Sequence, residues 1–285
     1  MSDVQFARIE TASHGALSLE YRWIHRERTD APLLVFLHEG LGSVAMWKDW
    51  PQQLCDAGGY RGLVFSRNGY GRSTPRPHDE KWPVDFMHRQ AREVLPAFLD
   101  AVGVGPDQAS RVWLVGHSDG GSIALLFSAA FPERLAGAVV MAPHLFVEDL
   151  SIESIAKTRT VYESTDLRAK LARYHDDVDS AFWGWNDIWL NPAFREWNLV
   201  GAVASISKPL LAIQGEDDEY GTMAQMDSIA SHVPHAKVVK LPACGHSPHR
   251  DAPQPLGEAI VAFIDRHHGA GDGRGPADAE DRAVA

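Results

Sequence analysis

The chain has 285 residues, 45% hydrophobic and 23% charged, which suits one large α/β domain or a core with a small accessory domain. Its formal net charge of −11, with no basic stripe, argues against nucleic acid or an anionic membrane surface as partner, because both are held by Lys and Arg meeting phosphate. No apolar stretch reaches the roughly 18 residues needed to span a bilayer, so no membrane partner is expected.

The first residues, Met1 to Gln5, lack the basic-then-apolar pattern of a secretory leader, so a cytoplasmic protein is expected. Cys55 and Cys244 are the only cysteines, which fits a reduced compartment. No Cys/His spacing matches a zinc site, and neither a metal nor an organic cofactor is implied. The expected partner is a small-molecule substrate. Nothing in the sequence fixes an oligomeric state.

Leu17 to His25 alternates in part and reads as a strand. Leu33–Leu37 is a continuous apolar run stopped by His38-Glu39-Gly40-Leu41-Gly42. Arg61–Phe65 is stopped by Arg67-Asn68-Gly69-Tyr70-Gly71, and Val112–Val115 by Gly116. Gly137–Met141, Leu210–Ile213 and Val238–Leu241 complete the series. Short apolar runs bounded by glycine predict strands buried on both faces. Helical patterns lie between them at Val84–Val102, Gly121–Ala130, Met223–His232 and Pro255–His267. This alternation predicts a doubly wound, mostly parallel α/β sheet, which binds ligands at the carboxyl ends of its strands.

From about Phe146 to Ser207 the rhythm breaks: no strand is evident, and four of the nine tryptophans lie between Trp183 and Trp197. A helical cap over residues 147–206 is expected, inserted into a core of residues 1–146 and 207–268. Trp183, Trp185 and Trp189 are its candidate pocket walls. Residues 269–285 are mostly Gly, Ala, Asp and Arg with almost nothing to bury, and are expected to be disordered.

The stretch Gly116-His117-Ser118-Asp119-Gly120-Gly121 joins an apolar strand to an apolar helix. Strand, Gly-x-Ser-x-Gly, helix is a nucleophile elbow. The serine must stand on a sharp turn, and the glycines leave room where strand and helix pass. The helix N-terminus turns free N–H groups and a positive dipole end toward the site. A serine alone is a weak nucleophile and needs a base and an orienting acid. The loop after Leu210–Ile213 carries Glu216-Asp217-Asp218-Glu219, and the loop after Val238–Leu241 carries Gly245-His246. In a parallel sheet both emerge on the serine's edge, in the order serine, acid, histidine.

These stretches resemble the α/β-hydrolase fold family in its lidded form, across roughly Leu17 to His267. Gly215-Glu216-Asp217-Asp218 resembles its acid loop and selects Asp218, with Asp217 as substitute. His38-Glu39-Gly40-Leu41-Gly42-Ser43 resembles its oxyanion loop, and Asn68-Gly69-Tyr70-Gly71-Arg72-Ser73 its Arg-Gly-x-Gly-x-Ser loop. The resemblance implies Ser118, Asp218 and His246 as catalytic, with the amides of Gly40 and Asp119 as oxyanion donors. Two positions depart from the pattern: Glu39 replaces a usual glycine, and Asn68 a frequent arginine. Glu39 and Asp119 then flank a place where negative charge must develop. We expect Asp119 to turn toward its helix N-terminus, and Glu39 to be neutralised by Arg67 or by His38 or His144.

His144, Tyr220, His249 and Glu39 are further candidate substrate contacts. The expected reaction is hydrolysis of a carboxylic ester or thioester of a small, partly apolar or aromatic substrate. A carbon–carbon hydrolase of dienone ring-cleavage products is the rival enzyme, although His117 stands where such enzymes carry Asn. A lyase or cofactor-free oxygenase uses the same scaffold. Serine rather than aspartate at the elbow argues against an epoxide hydrolase or haloalkane dehalogenase. The non-enzyme alternative is a small-ligand receptor on a hydrolase scaffold, and an intact triad counts against it.

Overall fold

A computed structural model describes residues 4–268. The expectation for residues 269–285 lies outside the described residues. Among the described residues eight strands form one sheet: β1 (Gln5–Thr11), β2 (Gly15–Ile24), β3 (Leu33–Leu37), β4 (Arg61–Phe65), β5 (Val112–His117), β6 (Gly137–Met141), β7 (Leu210–Gly215) and β8 (Lys237–Leu241). Their spatial order is β1-β2-β4-β3-β5-β6-β7-β8. Only β2 runs against the others; β3 to β8 are parallel throughout.

The apolar runs become central strands because both faces are covered. Leu33, Val35 and Leu37 enter one core, while Leu34 and Phe36 enter the other. Trp113 and Val115 join Phe36 under helices α1 (Trp50–Gly58) and α11 (Pro253–His268), the latter following the short α10 (Pro248–Asp251). On the opposite face lie α2 (Phe86–Arg89), α3 (Leu95–Ala101) and α4 (Asp119–Ala130). Helix α9 (Ala224–His232) joins that layer beside β7. Helix α4 is buried along almost its whole length, as an all-round apolar helix must be. Truncating a side chain such as Leu125 there costs about 2–5 kcal/mol.

Two expectations are corrected in detail. Strand β1 precedes the first strand read from the sequence. Its inward positions are Ala7, Ile9 and Thr11, too weakly apolar to stand out. The helix expected over Val84–Val102 is broken by a π-helical turn at Gln90–Val94. Pro96 follows that turn, and its missing N–H already removes one helical hydrogen bond.

Between β6 and β7 the chain is helical: α5 (Asp149–Ser164), α6 (Leu167–Leu171), α7 (Val178–Trp189) and α8 (Val200–Val203). The Asp177 side chain starts α7 by accepting the Ser180 N–H at 2.9 Å. This helix then runs over the carboxyl ends of the central strands, where Trp189 Nε1 donates to Asp119 Oδ1 at 3.1 Å.

Candidate active site

Strand β5 ends at His117 and α4 begins at Asp119, so Ser118 alone makes the turn. Its φ of 52° and ψ of −120° are costly for a residue with a side chain. Surrounding close packing holds it there. A Cβ on Gly120 would collide with the Leu37 carbonyl, and one on Gly116 with the backbone of Gly120 and Gly121.

Two loops from distant strands meet this serine. The loop after β8 brings His246, whose Nε2 lies 3.0 Å from Ser118 Oγ. The loop after β7 brings Asp218, whose Oδ1 lies 2.8 Å from His246 Nδ1. The carboxylate accepts only, so Nδ1 carries the proton and Nε2 is left to accept from the Ser118 hydroxyl. Asp218 Oδ1 also accepts the backbone N–H of Tyr220 at 2.8 Å and of Gly221 at 3.2 Å. Burial pushes the Asp218 carboxyl up, but His246 and the Tyr220 amide outweigh it and hold it below the usual carboxylate range. Asp217 is exposed and does not take this place.

Gly40 lines the same cavity as Ser118, and Asp119 is the first residue of α4, where no intrahelical acceptor exists. The cavity holds about 290 Å³ and is walled by Leu41, Met46, Ile155, Trp185 and Trp189, with Tyr220 and His144 beside His246. The Tyr220 ring lies 4.8 Å from the His246 ring, and its hydroxyl is 3.0 Å from Thr158 Oγ1. His144 lies 5.9 Å from His246 and 4.8 Å from Trp189. Burial, with His246 nearby, pushes the His144 imidazole down to about 3, so it is neutral.

Three expectations fail here. Trp183 does not line the cavity. It packs on Tyr162 and Phe182, with Arg159 over its ring at 5.1 Å. Trp185 and Trp189 are four apart on α7 and share a face, while Trp183 is two residues out of phase. His249 does not line the cavity either. It is buried against Trp47, Trp50 and His117, at ring separations of 5.0, 5.5 and 4.9 Å.

The third concerns the two acids. The Asp119 side chain does not cap its own helix: Oδ1 goes to Trp189, and Oδ2 faces Arg67 Nη2 at 3.6 Å. Arg67 therefore faces Asp119 rather than the Glu39 carboxylate. Glu39 does line the cavity, with His117 Nδ1 and Arg250 Nη2 each 3.6 Å from its oxygens. Burial raises the Glu39 carboxyl, but its contact with His117 outweighs this and holds it ionised. Arg250 and Met46 carry no signal in the sequence that marks them for the cavity. Arg67 lies two residues past the end of β4, at the ligand-binding edge, but its partner there is Asp119.

The fold and this strand-to-helix serine turn define the class of hydrolases built on a mostly parallel α/β sheet. A model of the alpha/beta hydrolase family matches residues 34–259, and the chain belongs to that family. Among curated proteins it is 27% identical to "Putative carbamate hydrolase RutD" of Pseudomonas savastanoi pv. phaseolicola, over 85% of this chain and 97% of that one. It is 26% identical to the bifunctional esterase/perhydrolase DCH of Acinetobacter calcoaceticus, over 82% and 92% respectively. Among solved structures, a thermophilic esterase from Thermogutta terrifontis superposes with a TM-score of 0.69 at 20% identity, covering 93% of this chain and 99% of that one. No helix among the described residues is long and apolar enough to cross a membrane.

Proposed function

We propose that the chain is a serine hydrolase that cleaves a carboxylic ester or thioester of a small, partly apolar or aromatic substrate. The observation that carries the reading is the continuous hydrogen-bonded line Asp218–His246–Ser118 at the wall of a 290 Å³ cavity. The similarity to an esterase/perhydrolase agrees with it.

Ser118 Oγ attacks the substrate carbonyl carbon while His246 Nε2 takes the hydroxyl proton. Asp218 keeps the imidazole oriented and stabilises its charged form. The Gly40 and Asp119 amides bind the carbonyl oxygen as it becomes an oxyanion. The carbon–leaving-group bond then breaks, and His246 returns its proton to the leaving oxygen or sulfur. Water, deprotonated by the same imidazole, releases the acyl group from Ser118. The indoles of Trp185 and Trp189 and the side chains of Leu41 and Ile155 suit an apolar acyl or alcohol portion. We assign the helices of residues 147–206 the part of a cap that walls this pocket. Buried, unpaired Cys55 and Cys244 suit a reducing, cytoplasmic compartment.

A panel of 4-nitrophenyl esters, acyl thioesters and ring-fission dienones tests the reading, with wild type and Ser118→Ala side by side. Ester or thioester turnover lost in the variant is the expected result. A response to dienones alone would replace it with carbon–carbon hydrolysis. Tight binding without turnover would replace it with a receptor.

A further inference from the structure

Arg67 is almost completely buried, yet neither the elbow nor the triad uses it. Its guanidinium touches both halves of the oxyanion site. Nη2 donates to the Glu39 carbonyl at 2.9 Å and lies 3.6 Å from Asp119 Oδ2.

The Glu39 carbonyl belongs to the same peptide unit as the Gly40 N–H. A trans peptide is planar, and its C=O and N–H point in opposite directions. Fixing one end therefore fixes the other. The carbonyl accepts from Arg67, from His38 Nδ1 at 2.6 Å, and from the Gly42 N–H at 3.1 Å. The His38 contact is itself set by Arg67: the Arg67 backbone N–H donates to His38 Nε2 at 3.0 Å, which leaves the proton on Nδ1. With its carbonyl held from behind, the peptide turns the Gly40 N–H the other way. Donors on the carbonyl also polarise the amide and strengthen its N–H as a donor.

The second half follows from charge. Asp119 supplies the other oxyanion amide, and its own carboxylate is buried beside the place where negative charge develops. Arg67 faces that carboxylate, and the Trp189 indole N–H occupies its other oxygen. The guanidinium also lies over the Tyr70 ring at 4.6 Å, so it has little freedom to swing away. A buried ion pair is weak as a source of stability. Among the described residues, the Asp119 Oδ2 and Arg67 Nε atoms find no hydrogen-bond partner, an arrangement poor for packing alone.

We propose that Arg67 is a positioning residue of the oxyanion site: it fixes the Glu39–Gly40 peptide plane and offsets the Asp119 charge, so that both amides meet the developing anion. The inference rests on the reading of the site as acyl-transfer machinery.

The test compares a ground-state probe with a tetrahedral-anion probe. The variants are Arg67→Lys, which keeps the charge and loses the fork, and the double variant Arg67→Met with Asp119→Asn, which removes both buried charges. Arg67→Lys is expected to lower kcat/KM for 4-nitrophenyl butyrate by about 10–10²-fold, short of the loss of a whole oxyanion donor. Phenylboronic acid, which forms a tetrahedral anion on Ser118, should weaken by a similar factor. The affinity of 4-nitrophenyl butyrate, followed by tryptophan fluorescence in a Ser118→Ala background, should stay within about twofold, as expected for a group that acts on the transition state alone. The double variant should recover thermal stability relative to Arg67→Met alone, and its turnover should remain low.

A folded Arg67→Lys enzyme with wild-type kcat/KM and boronate affinity would overturn the proposal, as would a double variant with wild-type turnover. Failure of the functional reading looks different. A wild type inert to every ester, but with boronate binding lost in Ser118→Ala and weakened in Arg67→Lys, would sink the ester assignment and uphold the role of Arg67.

Discussion

The carboxyl edge of the sheet and the helices laid over it solve the same problem by different means. At the sheet edge, position is set by backbone. Ser118, Asp218 and His246 each follow a strand end, and the parallel register brings them together. In the helices, position is set by phase. Trp185 and Trp189 face the cavity and Trp183 does not, although all three lie within one helix. Backbone placement tolerates little, because the elbow glycines and the strained Ser118 leave no space. Phase placement tolerates more, because a side chain on a helix can be exchanged without moving its neighbours.

This contrast orders the expected effects. Ser118→Ala should give the greatest, a fall in kcat of about 10⁴–10⁶-fold, measured with a nitrophenyl ester. A loss below 10²-fold would take the nucleophile's role from Ser118.

Gly40→Ala probes the place where the two regions touch. Its new Cβ would meet the Trp185 indole and push the Gly40 loop, the proposed oxyanion loop, aside. Turnover should drop about 10²-fold, the scale of an ångström-sized misplacement. Adding Trp185→Ala should return part of it, and a purely additive double variant would show that the two regions are not coupled there.

Acidification should weaken the sheet region. Burial, with His117 nearby, pushes His249 down to about 3, and His144 is pushed to the same range. Both ordinarily titrate near 6.5. Below that value the unfolded chain binds protons that the folded chain refuses, so stability falls as the pH drops from about 6.5 toward 3. Each group contributes up to about 1.4 kcal/mol per pH unit within that window. Urea unfolding at pH 7.5 and pH 5 reads the slope, and His249→Phe should flatten it.

Trp189→Phe keeps an aromatic ring, though a smaller one, and removes the N–H bound to Asp119. The expected cost is about 1–2 kcal/mol of stability, from a buried carboxylate oxygen left with less support, and a few-fold in turnover. Trp183→Ala should change kcat/KM by no more than about twofold, since it lies off the cavity wall. A larger fall in kcat/KM, carried by a rise in KM, would return Trp183 to the substrate pocket.

The sequence is most legible where backbone geometry restricts residue type. Glycines at 116 and 120 are required by close passage of strand and helix, so the elbow can be read directly. The central strands are legible because burial on both faces demands uninterrupted apolar runs. Strand β1 escapes because a sheet edge can be built with Ala7 and Thr11 facing in. His249 misleads because a loop histidine near His246 looks available, while Trp47 and Trp50 take it into the core. The pairing of Arg67 with Asp119, and of Glu39 with His117 and Arg250, depends on which loops face one another. Spacing along the chain carries no such information. Helix phase, in contrast, was available all along: the four-residue step from Trp185 to Trp189 separates them from Trp183.

The central claim is that Ser118 carries the acyl group between the two half-reactions. Rapid mixing with a 4-nitrophenyl ester, acid quench and intact-mass analysis, followed by peptide mapping, tests it directly. One acyl group per chain on the peptide containing Ser118, absent from Ser118→Ala, is the predicted result. Steady ester turnover by that variant, or an acyl group trapped on another residue, would contradict the account.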